Sequence, residues 1–96
     1  MDAKIENELY SRLMEEFGIE KQTLMLAEEQ GELIKAINKK LRFKTHTVDE
    51  IREELADVYI MMNQVRWYFG ISIREIAEEM DKKLERIQYR LKKGEL

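Results

Sequence analysis

The feature that most constrains the fold of this chain is a helical spacing of its apolar residues from end to end. In four stretches of the 96 residues, apolar side chains recur three or four positions apart, which is the spacing of one face of an α-helix. Proline is absent and glycine occurs four times, so little in the chain interrupts a helix. The pattern predicts an all-α protein of four amphipathic helices.

Turn and capping signals divide the pattern into helices at about residues 3–17, 20–43, 48–69 and 73–91. Gly18 and Gly70 each follow a helical stretch, and Thr47 and Ser72 each stand three residues before a glutamate, as in a capping box. We expect one domain over residues 1–96, a four-helix bundle completed by oligomerisation. The predicted buried stripes of the last three helices are Leu24, Ala27, Gly31, Ile34, Ile37 and Leu41; Val48, Ile51, Leu55, Val58, Met62, Val65 and Phe69; and Ile73, Ile76, Met80, Leu84, Ile87 and Leu91.

Composition excludes several classes of function. The chain has no cysteine, so disulfides and thiolate metal sites are excluded. Acidic and basic residues are mixed along most of the chain, with a net charge of −3, which argues against a broad nucleic-acid surface. No apolar run is long enough to span a membrane, and the first ten residues lack the apolar core of a signal peptide. We therefore expect a cytoplasmic protein with no nucleic-acid or membrane partner.

Two groups of acids stand out on the second and third helices. Glu28, Glu29 and Glu32 are three and four apart, and Glu54 and Asp57 are three apart, so each group shares one helix face. Like charges this close repel, and a hard divalent cation such as Mg²⁺ would compensate them. Glutamate-rich faces are also commonly just solvated, so the spacing alone leaves a metal site and a solvated face both open.

The sequences around these acids resemble one known family. EEQGE (28–32) followed by EELAD (53–57) resembles the Glu-Glu-x-x-Glu and Glu-x-x-Asp blocks of the MazG-type all-α nucleotide pyrophosphohydrolases. The likeness extends through FGIEKQTLMLAEEQGELIKAINK, EELADVYIMMNQV and KKLERIQYRL, roughly residues 16 to 91. It is strongest with the short, single-domain phage and bacterial members.

The resemblance implies an activity and a set of roles for the acids. The family cleaves nucleoside triphosphates between the α and β phosphates, which gives a monophosphate and pyrophosphate. By position, the metal ligands would be Glu29, Glu32, Glu54 and Asp57, with Mg²⁺ as the ion and Mn²⁺ as an alternative. Glu28 or Glu29 would act as the catalytic base that takes a proton from the attacking water. Glu53 points away from the seam and is expected to be solvated.

Substrate contacts are expected from two further regions. Lys83 and Arg86, three apart on the basic final helix, could bind phosphate oxygens, with Lys82 a weaker candidate and a solvated basic face the alternative. Asp81 stands where many relatives have asparagine, so the asparagine role is not carried over to it, but an aspartate there could still bind substrate or ligate a metal. Phe17 and Gln22 are the main candidates for base recognition, followed by Trp67 and Tyr68, although such aromatics more often lie in a core. His46 is given no role.

Three alternatives remain at this point. A phosphoribosyl-ATP pyrophosphohydrolase and a dUTP- or dCTP-specific enzyme would carry the same acids, so the acids do not separate them from a house-cleaning hydrolase. A non-catalytic helical interaction module is the alternative from a different class. Because one small bundle has few walls with which to enclose a triphosphate, we also expect a homodimer or homotetramer.

Overall fold

The computed structural model describes residues 1–44 and 47–96 and is all-α. Its four helices are α1 (Ala3–Phe17), α2 (Ile19–Arg42), α3 (Asp49–Tyr68) and α4 (Ile73–Lys93), and the described residues contain no strand. None of these helices combines the length and the apolar character that crossing a membrane requires. The predicted fold class is confirmed. Thr45 and His46, in the predicted connection between the second and third helices, lie outside the described residues.

The helix ends follow the capping signals at two places and depart from them at a third. Gly18 closes α1, where its N–H donates to the carbonyl of Met14. At α4 the predicted capping box is present, since Ser72 and Glu75 each accept from the other's backbone N–H. The capping box predicted at Thr47 is not formed, because α3 begins at Asp49, one residue later than a box with Thr47 as the N-cap requires. The Thr47 hydroxyl instead accepts from the N–H of Asp49 at 3.3 Å.

The core lies between α2 and α3, with α1 packed across them. The two helices run antiparallel, since Lys39 lies 3.8 Å from Glu50 near their connection and Gln22 bonds to Gln64 at the far end. The buried apolar side chains are few: Tyr10, Met14, Ala36, Val58 and Met61. So small a core stabilises a single chain only modestly.

Two of the predicted apolar stripes are exposed in the single chain. α4 packs against none of the other described helices, and its six apolar residues are 41–68% exposed. On α2, the predicted stripe also faces solvent, because the helix turns its opposite side, which carries Glu29 and Ala36, towards α3. Burial of these two stripes was therefore a wrong prediction for one chain on its own. On α3, Val58 is buried as predicted, whereas Leu55, Met62 and Phe69 are exposed.

These exposed faces make the chain large for its mass. Its solvent-accessible surface is 8042 Å², whereas a compact monomer of 11.6 kDa would expose about 5,800 Å². The radius of gyration is 16.7 Å, against about 12.5 Å for a compact domain of 96 residues. The surplus surface, about 2,200 Å², reflects helix faces that no other described part of the chain covers.

Candidate metal centre

Three carboxylates from α2 and α3 meet near the middle of the hairpin. One oxygen from each of Glu29, Glu54 and Asp57 lies within 4.8 Å of the other two. Glu29 lies on the side of α2 that packs on α3, two helical turns before the buried Ala36. Glu54 is partly buried and stands one turn before Val58, whereas Asp57 is exposed. The packing of the two helices therefore forces these acids together.

The electrostatics of the cluster are unfavourable without a cation. Burial, and then the charge of Asp57, raises the pKa of Glu54. The pKa of Glu29 is raised first by burial and then by Asp57 and Glu54. One oxygen of Glu54, Oε2, is buried and accepts no hydrogen bond. Unpaired, partly desolvated carboxylates at this separation are the donor set that Mg²⁺ or Mn²⁺ uses, so the residues fit such an ion.

The other acids lie around this cluster. Glu32 is exposed but close enough to raise the pKa of both Glu29 and Glu54. Glu28 is exposed and lies outside the group of three. Glu53 is exposed, as predicted, although its charge also raises the pKa of Glu54. The structure thus brings one carboxylate oxygen of each of three predicted metal ligands to within 4.8 Å of the other two, and it sets the fourth ligand nearby.

The predicted phosphate contacts are not brought to this cluster within one chain. Asp81, Lys83 and Arg86 are exposed on α4, which packs against neither α2 nor α3 in the described structure. Lys82 pairs with Glu79 at 3.3 Å on the same helix. A single chain therefore separates its acidic centre from its basic helix.

The candidates for base recognition have different surroundings. Phe17 is half exposed, with the Lys21 ammonium 5.2 Å from its ring centroid. Gln22 is buried, and its Nε2 donates to Gln64 Oε1 at 2.7 Å, so its amide links α2 to α3. Trp67 lines a cavity of about 410 Å³ at the end of α3. Tyr68 is exposed and packs edge-on against Phe69, with ring centroids 5.0 Å apart.

Sequence reasoning missed Gln64, which is 1% exposed. The signal was available, because Gln64 continues the row of Asp57 and Met61 at spacings of four and three. Met61, in the same row, is also buried. Glu50 was also missed; it pairs with Lys39 and raises the pKa of Glu54.

Comparison with known proteins agrees with the acidic blocks. No curated protein and no solved structure matches the chain. A family profile described as the MazG nucleotide pyrophosphohydrolase domain matches residues 17–90, which include α2, α3 and most of α4. The clustered acids of the candidate metal centre fall inside that match. The chain belongs to the family of MazG nucleotide pyrophosphohydrolase domains.

Proposed function

We propose that the protein hydrolyses a nucleoside triphosphate to the monophosphate and pyrophosphate in a Mg²⁺-dependent reaction. The observation that carries the proposal is the convergence of Glu29, Glu54 and Asp57 within 4.8 Å, in a chain of a pyrophosphohydrolase family. The buried, unpartnered oxygen of Glu54 supports it, because a solvated acidic face would leave that oxygen in water.

The metal ligands in this proposal are Glu29, Glu32, Glu54 and Asp57, with Mn²⁺ as an alternative to Mg²⁺. When bound, the ion neutralises phosphate charge and lowers the pKa of water. The ligands on α2 and α3 would be held at fixed separation by the packed hairpin, which favours the in-line geometry that phosphoryl transfer needs.

Glu28 is our first choice for the catalytic base. It is exposed and outside the group of three, so its carboxylate stays free when the cluster is occupied. It lies one turn from Glu32, close enough to the metal ligands to accept a proton from water at the site. Glu29 is the second choice, since it is itself a member of the cluster.

Substrate contacts by α4 depend on assembly in this proposal. Because α4 does not pack against the hairpin of its own chain, we assign the contacts of Lys83, Arg86 and Asp81 with phosphates or metal to an assembled homodimer or homotetramer. The surplus surface of about 2,200 Å² supports assembly, since obligate interfaces bury roughly 2,000–5,000 Å² over both partners. Phe17 stays a candidate for stacking on the base. The side-chain amide of Gln22 would contact the base only through those atoms that its hydrogen bond to Gln64 leaves free.

The test is pyrophosphate release from a panel of nucleotides with and without Mg²⁺. The panel holds the common ribo- and deoxyribonucleoside triphosphates, dUTP and dCTP among them, and phosphoribosyl-ATP. We expect Mg²⁺-dependent release from at least one of them and its loss in Glu54→Gln, with Glu15→Gln, an exposed acid on α1, as the matched control. If the unmodified protein released no pyrophosphate from any nucleotide, the proposal would be wrong and a helical interaction module would be favoured.

A further inference from the structure

One flank of α2 carries a row of charged residues that changes sign halfway along the helix. The row recurs at spacings of four and three, so its members share an arc of roughly 80°; they are Glu28, Glu32, Lys35, Lys39 and Arg42. The acidic half borders the candidate metal centre, since Glu32 raises the pKa of both Glu29 and Glu54. The basic half continues from there towards the connection between α2 and α3.

The basic half of this row lines an open surface groove of about 340 Å³. Lys35, Lys39 and Arg42 all contribute to its walls, and its first lining residue is Gly31. A Cβ atom added at Gly31 would meet nothing within 4 Å, so this end of the groove is open space. The groove therefore starts one residue from Glu32, at the edge of the metal centre, and carries three cationic side chains.

Most of the positive charge in the groove has no acid beside it. Lys35 and Arg42 form no ion pair with any described residue, and Lys39 pairs with Glu50 at 3.8 Å. Cations three or four residues apart on a helix repel one another. The helix dipole accounts for bases in the last turn of α2, where Lys40 donates to a backbone carbonyl, but Lys35 lies about two turns earlier. An anion in the groove would relieve the repulsion.

We propose that this groove binds the β and γ phosphates of the nucleotide and holds the pyrophosphate that they form after cleavage, an inference that rests on the proposed function. We call it the anion groove, and its binding residues are Lys35, Lys39 and Arg42. A pyrophosphoryl group suits it because the group carries several negative charges along a short chain, and each cation donates charge-assisted hydrogen bonds to its oxygens. The chain that supplies the metal ligands also supplies these cations, so the site depends neither on α4 nor on assembly.

Lys39 joins the anion groove to the metal centre. Its ammonium lies 3.8 Å from Glu50, and Glu50 stands one turn before Glu54 on α3 and raises the pKa of Glu54. A phosphate bound to Lys39 would therefore lie about one helical turn, roughly 5.4 Å, from a metal ligand. A single polyphosphate chain can contact both.

The order of the groups along α2 sets the direction of the substrate. Phe17 and Gln22, the candidates for base recognition, lie at the end of the hairpin far from the connection. Glu29 follows Gln22 by seven residues, and Lys39 follows Glu32 by seven residues, which is about 10 Å in each case. Base candidates, metal ligands and cations thus follow one another in the order of base, α phosphate and terminal phosphates. The reverse direction would put the most charged end of the nucleotide against a buried amide.

Binding of inorganic pyrophosphate, measured by calorimetry without metal, tests the anion groove independently of catalysis. In the double variant Lys35→Gln and Arg42→Gln we expect the dissociation constant of pyrophosphate to rise about tenfold or more, since two charge-assisted contacts are lost. Lys35→Arg keeps the charge and should retain binding. The matched control, Lys4→Gln with Arg12→Gln, removes the same two charges from exposed positions on α1 and should leave binding unchanged. An unchanged dissociation constant in the groove variant, or an equal rise in the control, would overturn the proposal.

Steady-state kinetics test the direction of the substrate. The same double variant should raise KM by a similar factor for every nucleotide that is hydrolysed and should weaken inhibition by pyrophosphate. The ranking of the nucleotides should stay the same, because the base lies at the other end of the hairpin. A changed ranking with an unchanged KM would contradict the proposed direction. Normal binding of pyrophosphate in the groove, with no release from any nucleotide, would refute the proposed function and leave the anion groove intact.

Discussion

Replacing Gly31 with alanine should stabilise the chain. The added methyl group meets nothing within 4 Å, and alanine is favoured over glycine in a helix interior by about 1 kcal/mol. For a domain of this size, that gain raises the melting temperature by roughly 4–8 °C.

Thermal melting followed by circular dichroism measures the effect, with Gly31→Ala compared with the unmodified protein. Gly18→Ala is the matched control, because a Cβ at Gly18 also meets nothing, but its backbone, at φ 83° and ψ 160°, suits glycine alone. That variant should melt lower than the unmodified protein. If Gly31→Ala melted no higher than the unmodified protein, the open space around Gly31 would be refuted.

Three further predictions follow from the hairpin. Glu54→Gln should lower Mg²⁺-dependent turnover by more than about 100-fold, since even outer-shell residues of metal sites contribute roughly 10- to 100-fold. The same variant should melt higher than the parent without metal, because it removes repulsion at a partly desolvated carboxylate. The metal-free protein should become more stable as the pH falls from neutral towards the ordinary pKa of glutamate. Folding raises the pKa of Glu29 and Glu54, so the folded state binds more protons in that window; melting temperatures that fall with pH there would contradict this. Gln22→Leu should lower the unfolding free energy by about 1–3 kcal/mol, since it leaves the buried amide of Gln64 without its partner. The double variant with Gln64→Leu should recover part of that loss in urea unfolding, and no recovery would argue against the pairing of the two amides.

The sequence was sufficient for those features that depend on local spacing. The predicted bounds of α1 match the structure, the capping box at Ser72 is formed, and Glu29, Glu54 and Asp57 meet as the acidic blocks suggested. These depend on capping chemistry and on the helical repeat, both of which are visible in a single sequence.

The sequence did not reveal which apolar face packs inside the chain. α2 has two faces of mixed character, and the one with the more regular apolar spacing, through Leu24 and Ile34, is exposed. The side that packs on α3 carries the apolar Leu26, Leu33 and Ala36, but the polar Gln22 and Glu29 interrupt its apolar spacing. Apolar periodicity indicates a face that is suited to burial, and it does not distinguish burial within one chain from burial between chains. The same reasoning applies to the apolar face of α4.

The separation of α4 from the rest of the chain has a consequence for how the protein folds. A helix of 21 residues that packs closely against no other described helix is only marginally stable in water, since most helix stability in proteins comes from packing. Formation of α4 is therefore coupled to whatever buries its apolar face, and its 42% exposed Ile87 and 41% exposed Ile76 gain cover only then. If the chain assembles as proposed, helical content measured by circular dichroism should fall on dilution, in step with the loss of assembled protein. Folding of the last helix and association would then be a single thermodynamic event.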